Sequence, residues 1–200
     1  MSPAPSRAQL AKPIAVTAGV LLALGGALAA APAFAEEPFD VGGSSVVDRS
    51  GAIGDLSGIE AAVEGAYTAS GVNMLVVFVD DFSGWDPVDW VDQASNLSGA
   101  IGQNDVLLGV AVEARRYGLS VAPDADWLSD AEYDAILTGV IEPCLHEDEW
   151  AAAAIGAAAA VSDAMLDRPI RTGECAPASG GTDGAATEGG GGGAVGWVVG

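Results

Sequence analysis

Two uninterrupted apolar stretches, Met74-Leu75-Val76-Val77-Phe78-Val79 and Val106-Leu107-Leu108-Gly109-Val110-Ala111-Val112, lie on either side of a helix-length amphipathic segment. No other feature limits the fold as much, because a strand without polar alternation has to be covered on both faces. Strands of that kind joined through a helix are parallel neighbours, with the helix as the crossover. Ser45-Val46-Val47-Asp48 reads as a brief first strand. Leu56, Ile59, Val63, Ala66 and Tyr67 recur at spacings of three and four, so a helix opens at Asp55-Leu56-Ser57 and ends at Gly71.

Asp86-Pro87 opens the second helix, with Val88, Val91, Ala94, Leu97 and Ile101 on one face and an end near Gly102. Glu113-Ala114-Arg115-Arg116 is short enough to turn the second apolar run directly into Tyr117–Val121, a hairpin. Ser129 followed three residues later by Glu132 is a capping box for a helix through Tyr133, Ile136, Leu137, Val140 and Ile141, which Pro143 ends or kinks. An alanine-rich helix runs from Asp148-Glu149-Trp150 to about Leu166. Such alternation predicts an α/β fold: a three-layer α/β/α sandwich on a mixed, mostly parallel sheet with right-handed crossovers, over residues 45–168.

The flanks differ in kind. Residues 1–35 contain no acid, carry Arg7 and Lys12, run apolar from Ile14 to Ala30 and finish in Ala33-Phe34-Ala35, the layout of a secretory signal peptide. Residues 36–44 are a lead-in, and residues 169–193 a Gly-rich linker with five consecutive glycines from Gly189 to Gly193. Residues 194–200, Ala194 to Gly200, read either as the start of a transmembrane helix or as an ordinary tail. These flanks predict an extracytoplasmic domain, secreted or tethered to the cell membrane.

Charge removes several functions. Seven basic and 28 acidic side chains give a formal charge of −21. Cleavage after Ala35 leaves five arginines, no lysine and all 28 acids, or −23. Nucleic acid is excluded as a partner, since phosphate backbones need clustered bases. Lysine Schiff-base chemistry and a Walker-type phosphate loop are excluded with the lysines. The one histidine, His146, lies among Glu147, Asp148 and Glu149 and reads as a solvated surface group, not a base for a serine nucleophile.

Ligands of open α/β sheets sit outside the carboxyl ends of the strands. Asp48 and the pair Asp80-Asp81 end two successive strands, so three carboxylates converge on one edge if the strands are parallel neighbours. Two readings follow. The aspartates hold a hard cation, calcium or magnesium, or they cap the following segments as solvated loop ends. Arg115 and Arg116 follow the second apolar strand; they either hold the hairpin in ion pairs or grip a phosphate. Asp124-Ala125-Asp126 lies after a hairpin strand and reads as loop. Cys144 and Cys175, the only thiols, are either free or joined in a disulfide that export permits.

Val46-Val47-Asp48-Arg49-Ser50-Gly51 and the helix after it, Gly71 to Val77, Gly102 to Leu108, Arg116-Tyr117-Gly118, Leu128-Ser129-Asp130 and Ile141-Glu142-Pro143 together resemble the TPM domain. The resemblance covers nearly all of residues 42–167 and extends to the secreted or membrane-tethered actinobacterial members. It implies an α/β/α sandwich with a cleft for divalent cations, calcium in several members, and it carries a phosphatase label. The matching positions are Asp48, Asp80, Asp81 and Arg116. Asn104-Asp105 departs from the Asn-Gly that many members have there.

The resulting expectation is a monomeric extracytoplasmic module that binds calcium or magnesium and works as a binding or scaffolding domain among protein partners at the cell envelope. The alternative is a metal-dependent acid phosphatase of the same site, with Arg116 on the phosphate. A third reading leaves the aspartates as surface charge that keeps the chain soluble.

Overall fold

The computed structural model describes residues 36–173 and 175. The expected signal peptide, most of the linker and the apolar segment 194–200 lie outside the described residues. Among the described residues no helix is long and apolar enough to cross a membrane.

Four strands, β1 (Val46–Asp48), β2 (Asn73–Val79), β3 (Asp105–Ala111) and β4 (Arg116–Val121), form one sheet in chain order. The first three are parallel and β4 is antiparallel to β3, so the sheet is mixed and mostly parallel as its sequence implies. Alternate residues of β2 and β3 feed two separate cores. Met74, Val76, Phe78, Val106, Leu108 and Val110 face helices α1 (Ser57–Ser70) and α5 (Trp150–Met165). Val77, Val79, Leu107 and Ala111 face α2 (Pro87–Ser98), where Trp90 and Val91 are fully buried. Helices on both faces make the three-layer α/β/α sandwich.

The handedness departs from expectation. β1, β2 and β3 lie side by side in one direction, yet α1 and α2 cover opposite faces, so the two crossovers have opposite hands. Two right-handed crossovers would have placed both helices on one face. The side taken by α2 is where Gly109 and Gly118, opposite each other on β3 and β4, leave room for it.

Both ends of α2 follow their capping residues. Asp86 accepts a hydrogen bond from the Val88 amide at 3.0 Å, with Pro87 in the first turn. The end of α2 is Gly99, in the left-handed conformation, not Gly102. Ile101 fits the apolar spacing but is 67% exposed, beyond the turn that Gly99 makes. Proline 143 kinks its helix and does not end it. Helix α3 (Asp130–Ile136) widens into a π-helical turn at Leu137–Ile141 and continues as α4 (Glu142–His146). Pro143 has no N–H to give to the Gly139 carbonyl, and its ring crowds that carbonyl. The freed oxygen instead accepts the Gly173 amide at 3.2 Å.

Both ends of the domain are held down. Residues 36–41 lie on the α2 face, where the Trp90 indole donates to the Glu36 carbonyl at 2.7 Å, and Phe39 meets the Trp90 ring edge-on. After α5 the chain returns along the π-helical turn. Arg171 pairs with the largely buried Asp163 at 3.0 Å, Thr172 occupies the space beside Gly139, and Cys175 is joined to Cys144 with their Cα atoms 5.0 Å apart.

Candidate functional site at the carboxyl edge of the sheet

The carboxyl ends of β1, β2 and β3 share one edge, and two carboxylates belong to it in different ways. Asp48, which ends β1, is level with Phe78 on β2. Its two oxygens accept from the Ser50 hydroxyl at 2.6 Å, the Gly51 amide at 2.9 Å and the Ile53 amide at 3.0 Å. Asp48 therefore organises the loop that carries the chain towards α1, the loop role left open by its spacing. Asp80 stands two residues beyond Phe78. Its backbone carbonyl takes the amides of Glu113 and Ala114, at 3.1 and 3.2 Å, tying β2 to the β3–β4 hairpin. Its carboxylate makes no hydrogen bond among the described residues.

Asp81 turns to other work. Its carboxylate accepts from the Ser83 amide at 2.7 Å, and its carbonyl accepts from the Glu36 amide at 2.9 Å, pinning the N-terminal segment. Among the described residues no three Asp, Glu, His or Cys side chains are gathered closely enough to enclose a metal ion. The donor chemistry at Asp48 and Asp80 is that of a hard cation, but those two side chains alone would leave most of its coordination to carbonyl oxygens and water.

Arg116 is placed away from Asp48. It pairs with Ala111, on the α2 face, and its guanidinium donates to the Trp85 carbonyl at 3.0 Å, with Asp86 at 4.0 Å. Asp48 shares the opposite face with Phe78. Arg115 adopts a positive φ of 53° in the hairpin and reaches over to Asp148, with the Trp150 ring 5.8 Å away.

Arg115 also lines a cavity of about 230 Å³ with Tyr117, Glu142, Leu145 and His146, beside the carboxyl end of β3. The Tyr117 hydroxyl donates to Glu142 at 2.8 Å. Burial first, and then this bond to Glu142, push the phenol well above its ordinary pKa, so it stays a donor. Sequence reasoning missed this group because a helix that Pro143 either ends or kinks does not show whether Glu142 and His146, at i and i+4, share a helical face. His146 is exposed, as expected of it, and it also lines the cavity wall.

Comparison with known proteins gives a consistent picture. The profile of the TPM domain matches residues 31–164. The UPF0603 proteins MT2410 and Rv2345 of two Mycobacterium tuberculosis strains are 31% identical over 135 residues, which is 66% of this chain. The matched region spans only 20% of those relatives' length. The solution structure of the N-terminal domain of the cg2496 protein from Corynebacterium glutamicum superposes with a TM-score of 0.52 at 28% identity, covering 73% of this chain and 89% of that one. An N-terminal domain from P. gingivalis has the same fold, with a TM-score of 0.53 at 16% identity over 61% of this chain and 82% of its own.

Proposed function

The chain belongs to the TPM domain family, and from that premise we propose that its domain is an extracytoplasmic binding module that takes calcium or magnesium at the carboxyl edge of the sheet. Asp80 is the leading ligand and Asp48 its neighbour, while the Asp81 carboxylate caps the Ser83 amide. The observation that carries this reading is the Asp80 carboxylate, which has no hydrogen-bond partner among the described residues and stands two positions beyond the Asp48–Phe78 pair, at the edge where an open α/β sheet places its ligands. The module then works as a binding or scaffolding domain at the cell envelope, its strongly acidic surface setting which partners approach.

Calorimetric titration of calcium, and separately magnesium, into the protein tests the assignment. Saturable binding that Asp80→Asn abolishes is the expected result. Binding that survives Asp80→Asn, or no saturable heat from either ion, overturns it. The cavity beside β3 favours a second reading, a metal-dependent acid phosphatase, because it supplies a guanidinium and an imidazole at the same edge. In that reading Arg115, not Arg116, holds the phosphate. Metal-dependent hydrolysis of a phosphomonoester panel that falls with Arg115→Ala and not with Arg116→Ala is its signature.

A further inference from the structure

At the opposite end of the sheet, two cavities of about 270 and 230 Å³ adjoin along the outer side of β4. They share Asp92, Val121, Ala122 and Pro123 as walls and so make one groove, between α2 and the segment leading to α3. Val121 pairs with Val106 at the start of β3, which sets this groove apart from Asp48 and Asp80.

Register decides what the groove offers. Asn73 donates to Asn104 and Val112 donates to Val79, so Val106, Leu108 and Val110 direct their peptide groups to β2. Their partners on β4, namely Val121, Leu119 and Tyr117, therefore direct theirs outward. The Tyr133 hydroxyl covers the Leu119 carbonyl at 2.7 Å. The outward groups of Val121 meet no such partner among the described residues and open on the groove.

Two further properties limit the occupant. Val88 and Ile101, on the walls, are 45% and 67% exposed, an unusual loss of apolar burial at one place. Asp92 and Asp130 also line the groove, and no Lys, Arg or His does. A second copy of this chain would set like charges against each other in a protein of charge −21. We propose that the groove receives an extended, basic segment of another protein, which pairs with Val121, lays apolar side chains on Val88 and Ile101 and sets Lys or Arg against Asp92 and Asp130.

Selection of a random dodecapeptide library on the immobilised full chain tests this. The expected peptides alternate apolar residues with Lys or Arg. Their Kd should rise at least tenfold with Asp92→Lys and with Ile101→Glu, and stay unchanged with Tyr67→Glu on α1. Asp130→Asn, at an exposed position, should weaken binding even if one of the other variants fails to fold. Failure to enrich any peptide, enrichment of peptides without bases, or binding indifferent to the groove substitutions overturns the proposal. So does a dimer in sedimentation that Ile101→Glu dissolves, because the occupant would then be a second copy.

Discussion

Replacing Gly118 by alanine should cost more stability than any other single methyl group added to this sheet. A Cβ there would lie 2.5 Å from the Pro87 carbonyl oxygen, 2.8 Å from its carbon and 3.1 Å from Val91 Cγ2. Ordinary contact begins at 3.4 Å, so α2 would have to retreat by about 0.9 Å. Retreat is resisted, because Trp90 of the same turn is fully buried and bonded to Glu36. Without a clash, glycine to alanine in a strand would stabilise by roughly 0.4–1 kcal/mol through the unfolded chain. Overpacking against fixed backbone reverses the sign, with a net loss of about 2–3 kcal/mol expected. Gly109→Ala meets a side-chain methyl rather than backbone, Val91 Cγ1 at 2.5 Å, and should lose about 1–2 kcal/mol. Urea unfolding of the single variants and of their pairs with Val91→Ala separates the two causes. Removing the Val91 methyls should rescue Gly109→Ala by about 1 kcal/mol beyond additivity and leave Gly118→Ala nearly additive. A Gly118→Ala protein as stable as wild type, or one rescued by Val91→Ala as fully as Gly109→Ala, would refute the argument.

Three other outcomes are expected. Reduction of the Cys144–Cys175 bond, which spans a sequence separation of 31, should lower unfolding stability by roughly 3–4 kcal/mol in the chain-entropy account, read as a lowered urea midpoint in reductant. In metal-free buffer Asp48→Ala should cost about 2 kcal/mol through the loop donors it strands, whereas Asp80→Asn should leave the urea midpoint unchanged. Glu132 is held below the ordinary glutamate range by the Ser129 hydroxyl and then the Ser129 amide. A lowered folded pKa means its contribution is complete above the ordinary range and disappears as the pH falls through the folded value. Acid titration of stability should therefore be flatter in that window for Glu132→Gln, and an identical slope would contradict the capping geometry.

Much of the fold is legible because burial leaves its period in the sequence. The apolar runs of β2 and β3 announce strands covered on both faces, and the caps at Asp86, Gly71 and Ser129 announce where helices turn. The end of α2 is misread because Ile101 keeps the helical spacing while Gly99 has already reversed the chain. Crossover hand is not written locally at all; on the face it takes, α2 packs Pro87 and Val91 onto Gly109 and Gly118, which lie on different strands. The site is harder still. Asp48, Asp80 and Asp81 are alike in sequence, and only hydrogen-bond partners distinguish a loop organiser, a carboxylate with no partner among the described residues and a cap on the Ser83 amide. Arg116 and Arg115 are adjacent, yet strand alternation and the turn at Arg115 send one to Trp85 and Asp86 at the start of α2 and the other towards Asp148.

The bond between Cys144 and Cys175 also decides how the domain would carry a pull. Tension applied to the chain beyond Cys175 enters at the buried Cys144, through covalent links alone. Everything from Leu145 to the stretch before Cys175, including α5 and its packing on α1, lies in the closed loop and bears none of it. At the other end, tension before Glu36 meets only hydrogen bonds, the Arg49 ion pair and the seat of Phe39 against Trp90. The domain is thus mechanically lopsided: oxidised, it would peel from its N-terminal side first, and reduction would add a second weak end.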